Sequence, residues 1–383
     1  MALTHRYIDY SGGSNANLGT SDGDAWQTLA FAYSQITNAN SWQLNLKSNA
    51  DHVVSGPILP SYNPGWGTED KSIHHVGYTA TVNDGGRWTI DCSAAQFINS
   101  TSQDNMHFYG GKFKNWGTGK LIRLDDCSTF YGVEFDGQDT AKDCLQADNY
   151  NFVANCWLHS MDNSDTATKY PMYVLSGCGV VGNRIEVNQR QYGIRAYWGS
   201  HILDNLILSN GHASTGTAAM IAIINGDHTT IAGNVIVNKN ASGNVQYGIY
   251  LGWGSTGNLK VMNNYVEGMK RNFYWGSGIQ FNIGGGNVSY AGSVTDFYSV
   301  AASDKVLSLK DDVVLTASGL MDVAGNDYRP NSLLREQGAW PSWGDDFADN
   351  HTGLFSKSVG WPQPRQSYRE GLQHLDNGLV VPV

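Results

Sequence analysis

The chain has 383 residues, of which 41% are hydrophobic and 15% are charged, a composition that predicts a folded protein and excludes extensive disorder. Its formal net charge is −10 and it contains no basic run, so nucleic acid is not an expected partner. No run of about 18 apolar residues occurs, so no membrane span is expected. The 45 glycines favour a turn-rich β protein.

Residues 1–40 are predicted to form an N-terminal segment with a capping helix. The first ten residues lack a basic stretch followed by an apolar one, so no secretory signal is predicted and synthesis in the cytoplasm is expected. After a loop rich in Gly, Ser, Asn and Asp over residues 8–24, Asp24–Phe31 has the pattern of an N-capped amphipathic helix. Such a helix can cover the first coil of a stacked β structure.

An internal repeat dominates residues 41–300. The motif is two or three apolar residues, a small residue, Asn and an apolar pair, and two early copies are degenerate. The copies are Phe108–Phe113, Phe130–Phe135, Phe152–Trp157, Val180–Ile185, Ile202–Ile207, Ile231–Ile236 and Val261–Val266. Aligned positions are separated by 22, 22, 28, 22, 29 and 30 residues. A propeller blade needs about 40 residues, so this spacing predicts an all-β fold, a single-stranded right-handed parallel β-helix.

The repeated Asn has a physical role in this interpretation. The same turn recurs at each coil, about 4.8 Å from the next, and Asn tolerates a left-handed backbone there. Its amide can bond to the Asn of the following coil, which makes a ladder. The sequence predicts such a ladder through Asn155, Asn183, Asn205, Asn234 and Asn264.

A second strand precedes each motif by about 10 to 15 residues and alternates with period two, as a strand with one buried face does. The residues expected to point inward are Ile122, Leu145, Met172, Ile194, Ile221, Ile249 and Ile279. The residues that follow them should therefore form an outward column of Arg123, Gln146, Tyr173, Arg195, Ala222, Tyr250 and Gln280. Two positions further on, a second column includes Asp125, Asp148 and Tyr197.

Residues 301–383 lose the repeat and contain Trp340, Trp343 and Trp361. They are interpreted as an irregular C-terminal cap or assembly region.

The outward columns combine carboxylates, arginines and aromatic rings, the side chains that bind sugars. The predicted substrate-binding residues are Arg123, Gln146, Tyr173, Arg195, Tyr197, Trp198, Tyr250 and Trp253. Asp125 and Asp148 would lie on adjacent coils, where mutual repulsion raises the pKa of one carboxyl and makes it a general acid. Asp126 is a third catalytic candidate. The alternative is that these aspartates cap turns or pair with Arg123.

No resident cofactor or metal is predicted. The five cysteines contain no Cys-x-x-Cys pair and are interpreted as reduced core residues. Four histidines, His159, His201, His212 and His228, lack metal-site spacing. Asp136, Asp139 and Asp143 could hold Ca²⁺, although a solvated acidic loop is the favoured interpretation.

The chain resembles the pectate-lyase-like right-handed parallel β-helix superfamily over residues 5–340. The resemblance rests on Ile8–Ser14 with Asp24–Trp26 at the start and on Asp327–Leu333 at the end. Tyr192–His201 is similar to a coil of the alginate and chondroitin lyase family. That family's Lys base and Arg acid would fall near Asp148 and Leu175, so the lyase pair is not in place.

The resemblance implies two functions. The first is a phage-type virion surface protein, such as a tailspike, fibre or capsid-decoration β-helix, with a glycan-binding lateral face. Such a protein is expected at the virion or extracellular surface, as a homotrimer with other virion proteins as partners. The alternative is a polysaccharide lyase, glycoside hydrolase or uronate epimerase acting on acidic polysaccharide. Polysaccharide is the shared expected partner.

Overall fold

The computed structural model describes residues 3–37, 39–60, 71–82, 84–99, 104–117, 119–139, 143–161, 170–187, 192–210, 219–240, 247–252, 259–276, 281–292, 294–299 and 312–332, with two short strands beyond them. Three parallel sheets run through these residues, and each strand pairs with the equivalent strand of the next coil. The predicted parallel β-helix is therefore confirmed. No helix in the described ranges is long and apolar enough to cross a membrane.

Sheet 1 contains Leu3–Ile8, Ser41–Lys47, Ile73–Tyr78, Met106–Tyr109, Thr129–Tyr131, Phe152–Ala154, Gly179–Val181, His201–Leu203, Thr230–Ala232, Leu259–Met262 and Phe281–Gly285. Sheet 2 contains His52–Val53, Thr89–Asp91, Lys112–Lys114, Glu134–Asp136, Trp157–His159, Arg184–Val187, Leu206–Ser209, Val235–Asn238, Tyr265–Glu267, Val288–Tyr290 and Val313–Leu315. Sheet 3 contains Ile98–Asn99, Lys120–Asp126, Asp143–Asn149, Met172–Ser176, Ile194–Ala196, Ala219–Ile223, Tyr247–Leu251, Arg271–Trp275 and Thr295–Ser299.

Each coil of the helix passes from sheet 3 to sheet 1 and then to sheet 2. The turns after sheets 3 and 1 are mostly short, whereas the connection from sheet 2 back to sheet 3 varies in length. That connection spans residues 137–142 in one coil and 160–171 in the next. The turn after sheet 3 also lengthens, from residues 127–128 in one coil to residues 224–229 in a later one, so the repeat length varies on both sides of the sheet 3 strands. The connection that precedes these strands is called here the variable corner.

The core is a set of stacked side-chain columns. Phe108 lies 5.0 Å from Phe130 between ring centroids, with nearly parallel planes, and Phe113 stacks on Phe135 at 5.6 Å. The predicted inward residues of sheet 3 from Ile122 to Ile249 are all buried. This continuous apolar contact is the main stabilising term of the fold.

The polar ladder differs from the predicted one at its first member. The backbone register aligns Asn155 with Gly182, one position before the ladder, so Cys156 occupies the position equivalent to Asn183. The buried ladder runs through Asn183, Asn205, Asn234, Asn264 and Asn287 and ends on the carboxylate of Asp312. Asn155 instead has a positive φ of 53°, the left-handed conformation that Asn tolerates.

The capping helix begins later than predicted. It spans Leu29–Gln35, and the Thr28 hydroxyl accepts a hydrogen bond from the Phe31 N–H at its start. A short 3-10 helix covers Asp22–Asp24, and Trp26 is extended because its N–H donates to the Tyr7 carbonyl. This tie to the first strand prevents a helix from starting at Asp24. Leu29, Ala32 and Tyr33 pack into the core at the first coils.

The region after residue 300 adds one more strand to the β-helix and then forms a separate hairpin. Val313–Leu315 is a strand of sheet 2. A hairpin of Leu320–Asp322 and Asp327–Pro330 then places Leu320 and Tyr328 against the apolar outer side of sheet 2. Another hairpin joins Leu372–His374 to Val380–Pro382. The predicted assembly tryptophans Trp340, Trp343 and Trp361 lie outside the described residues.

Asp204, in the turn after a sheet 1 strand, should make the stability depend on pH. Asp204 is half-buried with a φ of 59°, and burial raises its pKa from 3.8 to about 7. Because the unfolded chain ionises first, the free energy of unfolding should fall as pH rises from about 4 to 7. Asp204→Asn should remove this loss and be more stable than the wild type at pH 8 by roughly 1–3 kcal/mol. Urea denaturation of both proteins at pH 4 and pH 8 measures this gain in the free energy of unfolding. If Asp204→Asn differs from the wild type by the same amount at both pH values, the prediction is wrong.

Candidate functional site

The outer side of sheet 3, called here the sheet 3 face, carries the predicted stripe. The strand register aligns Arg123, Gln146, Tyr173, Arg195, Ala222 and Tyr250 in one column, as the alternation predicted. The next member is Tyr274, not Gln280, because Ile249 pairs with Phe273. Gln280 and its neighbour Ile279 lie outside the described residues.

Carboxylates cluster at the N-terminal end of the sheet 3 face. Asp125 and Asp148 lie between the paired residues Leu124/Ala147 and Asp126/Asn149 of adjacent strands. Asp148 is only 5% exposed, and its two oxygens accept hydrogen bonds from Gln146 Nε2 at 2.8 Å and from the Arg123 guanidinium at 3.4 Å. The predicted pair is therefore brought together, with Asp148 fixed and Asp125 half-buried.

Asp126 and Asp104 form the floor of this acidic cluster. Both are buried. Asp126 accepts a hydrogen bond from Asn149 Nδ2 at 2.9 Å, and its own N–H donates to Asp104 at 3.0 Å. These contacts match the turn-capping alternative for Asp126, and they place its negative charge directly beside Asp125.

Asp125 is a carboxyl of the cluster that keeps its proton to a higher pH than an ordinary aspartate does. Its pKa is raised from 3.8 to about 6, first by burial, then by the negative charges of Asp126, Asp104 and Asp148. Protonated Asp125 also donates a hydrogen bond to Asp126, which favours the neutral form of Asp125. Burial raises the pKa of Asp126 too, but the hydrogen bond from Asn149 opposes that shift.

Arg195 occupies the middle of the sheet 3 face inside a cage of tyrosines. Its guanidinium carbon lies 5.0, 5.6 and 5.5 Å from the ring centroids of Tyr170, Tyr173 and Tyr197. It donates to the hydroxyls of Tyr170 at 2.5 Å and Tyr197 at 2.8 Å. Among the described residues, no carboxylate forms a salt bridge with Arg195, so its positive charge is available to an anionic ligand.

A tyrosine patch follows toward the C-terminal end. Tyr247, Tyr250 and Tyr274 have ring centroids 4.7 to 5.2 Å apart, and the Tyr250 and Tyr274 rings are nearly parallel. They pack over Ala219 and Ala222, which are buried although they belong to the outward side. The small alanines let the flat rings lie close to the sheet, and the patch offers aromatic faces for contact with a sugar.

A corner column escaped the sequence prediction. Two residues before each inward residue of sheet 3 stand Lys120, Asp143, Tyr170, Tyr192, Ala219, Tyr247 and Arg271. Strict alternation would point them inward. The chain enters the strand from the variable corner here, and the Tyr170 and Tyr192 rings stack at 5.3 Å beside the face. The repeated charged and aromatic residues at this offset were the signal that could have identified the column.

The two predicted tryptophans have different outcomes. Trp198 is 53% exposed at the turn after sheet 3, beside Tyr197. Trp253 lies outside the described residues.

An acidic cluster with a histidine lies elsewhere, on sheet 2. Glu134, Asp136 and His159 bring possible metal-ligating atoms within 4.8 Å of one another. The Lys112 ammonium, however, lies 3.0 Å from Glu134 and 2.7 Å from Asp136, and Arg87 lies 2.5 Å from Glu134. These positive charges occupy the position that a cation would take, so the group fits a salt-bridge network better than a metal. Asp136 thus pairs with Lys112, and Asp143 accepts the Tyr170 N–H.

Fold and site together define a parallel β-helix protein with an acidic and aromatic lateral face. No protein-family model matches the chain, and no curated protein does. Among solved structures it is similar to a rhamnogalacturonan lyase, with 16% identity, a TM-score of 0.43 and coverage of 76% of this chain and 74% of that one.

Two further solved structures are similar at the same low level. XylC in complex with xylose has 9% identity and a TM-score of 0.44, over 77% of this chain and 67% of that one. Pectin methylesterase from Aspergillus niger has 11% identity and a TM-score of 0.28, over 89% and 97%. Similarity at this level does not assign a function, and the architecture rests on the strand pairings themselves.

Proposed function

We propose that the protein cleaves an acidic polysaccharide that binds along the sheet 3 face, with Asp125 as the general acid. The observation that supports this most is the raised pKa of Asp125, about 6, within a cluster of carboxylates on an otherwise ligand-compatible face. A carboxyl that keeps its proton up to about pH 6, beside a second carboxylate, is the arrangement that a glycoside hydrolase uses for its general acid.

In the proposed reaction, Asp125 and Asp148 have different roles. Asp125 donates its proton to the glycosidic oxygen as the bond between that oxygen and the sugar carbon breaks. Asp148, held by Gln146 and Arg123, supplies negative charge beside the positive character that develops on the sugar ring. Water then adds to the carbon and gives a proton to the Asp125 carboxylate, so the acid is restored and the products are a new reducing end and a free hydroxyl.

The preference for an acidic chain is argued from Arg195. A guanidinium enclosed by three aromatic rings is partly desolvated, which strengthens its attraction for a carboxylate. Arg195 lies two strands beyond Asp148 in the sheet, or roughly 10 Å at the usual strand spacing of about 4.8 Å. A uronate bound there would belong to the same chain as the sugar at Asp125.

The virion-protein interpretation remains a prediction from the sequence alone, as do the homotrimer, the virion partners and the location at a virion or cell surface. The contacts of the sheet 3 face favour its glycan-binding element, which both interpretations share.

A panel of acidic and neutral polysaccharides tests the proposal. The purified protein is incubated with each, and reducing ends and the ultraviolet absorbance of unsaturated uronates are read in parallel. Reducing ends without unsaturated products are the expected result on an acidic substrate. Unsaturated products would show that the bond is broken by elimination and not by hydrolysis. If no polysaccharide of the panel is cleaved, the proposal is contradicted.

The pH profile carries a second prediction. Since the acid must be protonated, kcat/KM should be high below about pH 6 and fall as pH rises through that value. Asp126→Asn removes one negative charge and the carboxylate that accepts the hydrogen bond from protonated Asp125. The pKa of Asp125 should then fall, and the alkaline limb of the profile should move to lower pH. Rates measured from pH 4 to 9 check this, and a limb that Asp126→Asn leaves in place would contradict the assigned role.

A further inference from the structure

A stacked turn borders the sheet 3 face on the side of sheet 1. Its left-handed residues are Cys127, Tyr150, Gly177, Gly199 and His228, each with a positive φ between 52° and 66°. The N–H of each of the first four donates to a carbonyl of the next coil, as Gly177 does to Trp198 at 2.9 Å. The turns therefore lie directly above one another, and any side chain that they carry projects from a regular edge.

Two aromatic rings project from this edge on either side of a glycine floor. Tyr150 is 54% exposed and Trp198 is 53% exposed, and they are the two Phe, Tyr or Trp side chains that are exposed among the described residues. One edge of the Tyr150 ring lies against Gly177, where an added Cβ would be 2.7 Å from the ring. Both rings, Gly177 and Gly199 line a shallow depression of about 430 Å³.

Three polar residues also line the depression. Ser176 contributes a hydroxyl, and Asp227 and His228 contribute a carboxylate and an imidazole that are 3.6 Å apart and accessible to water. Aromatic faces with a few hydrogen-bonding groups are the combination that sugar-binding sites use. The Asp227 carboxylate disfavours a ring that carries its own negative charge.

We propose that this depression binds one neutral pyranose ring, stacked on Tyr150 and Trp198, with Asp227 and Ser176 bonded to its hydroxyls. The proposal rests on the proposed function and adds a specificity to it. Tyr150 follows Asp148 by two residues and Trp198 follows Tyr197 directly, so the depression adjoins both the acidic cluster and the Arg195 cage. A substrate that reaches Arg195 and this depression carries acidic and neutral sugars in one chain.

Removal of either ring tests the site. Tyr150→Asn removes the ring and keeps a residue that tolerates the left-handed turn, and Trp198→Ala removes the other ring. Retardation in gels that contain xylan, a mainly neutral polysaccharide, or polygalacturonate, an acidic one, measures binding. Each variant should bind xylan roughly tenfold more weakly, whereas binding of polygalacturonate should change by less than about threefold. Trp198→Phe should restore most of the xylan binding.

The controls separate failure of this site from failure of the function. Met321→Ala removes a side chain of similar exposure, 57%, from the hairpin that packs on sheet 2 and should bind both polysaccharides like the wild type. Unchanged xylan binding in both ring variants, with a wild type that cleaves and an inactive Asp125→Asn, would overturn the depression alone. A wild type that binds neither polymer would overturn the depression, and a wild type that also cleaves nothing would overturn the function with it.

Discussion

Asp125→Asn is expected to lower kcat/KM by about 10²- to 10⁴-fold on the polysaccharide that the wild type cleaves. Asn fills the same space but has no proton to donate to the leaving oxygen, and loss of general acid catalysis has effects of this size. Asp125 is half-buried at the surface, so the fold should persist. Initial rates of reducing-end release, with matched thermal unfolding curves, measure the effect.

Asp139→Asn is the matched control for this change. Asp139 is an exposed aspartate with a φ of 58° in the turn after a sheet 2 strand, and it belongs to neither the acidic cluster nor the outward columns of sheet 3. Its replacement should leave kcat/KM within about twofold of the wild type. If Asp125→Asn retains more than a tenth of the wild-type value, Asp125 is not the acid.

Asn234→Ala should cause a large loss of stability because it interrupts the middle of the ladder. Asn234 Nδ2 donates to the Ile202 carbonyl and to Asn264 Oδ1, each at 2.9 Å. Its Oδ1 accepts the N–H and Nδ2 of Asn205. Alanine leaves several of these buried groups without a partner, and the expected cost is about 3–5 kcal/mol. Urea denaturation should show a lower midpoint.

Asn263→Gly is the control for the ladder. Asn263 is exposed, has a φ of 54° and directly precedes a ladder member, so it shares the residue type and the turn but not the buried bonds. Glycine adopts this conformation without strain, and the change in the free energy of unfolding should stay within about 0.5 kcal/mol. Similar losses in Asn234→Ala and Asn263→Gly would show that the turn, rather than the ladder, provides the stability.

The architecture was predictable from sequence because its repeat is physical. One buried position per strand recurs at each coil, and a register shift of one residue would turn every apolar side chain outward. The alternation therefore identified the outward column from Arg123 to Tyr250. It failed after Ile249, where Phe273 and Ile279 both satisfy the pattern, since only backbone pairing distinguishes two apolar residues six positions apart.

Local errors had local causes. Asn155 was assigned to the ladder because adjacent turn positions both accept Asn, one for its left-handed backbone and one for its buried amide. The capping helix is predicted four residues too early because Asp24 and Thr28 are both good N-caps, and the hydrogen bond between Trp26 and Tyr7 has no local signal.

The site was only partly predictable. The sequence gives the neighbours of Asp125 and Asp148 along the chain, but Asp104 is contributed by a different coil and its effect on Asp125 depends on three-dimensional burial. Likewise, Tyr170 closes the Arg195 cage from the variable corner, where the period-two pattern no longer applies.

The pKa of the Asp125 carboxyl, read from the carboxyl-carbon resonances of ¹³C-labelled aspartates, tests the central claim most directly and needs no knowledge of the substrate. The signal is assigned by its loss in Asp125→Asn, and the protein is titrated from pH 3 to pH 9. A midpoint near 6, shifted downward in Asp126→Asn, is the predicted result. A midpoint near the ordinary value of 3.8 would mean that Asp125 has already lost its proton at pH 5 to 6, and the acid assigned to this face would be wrong.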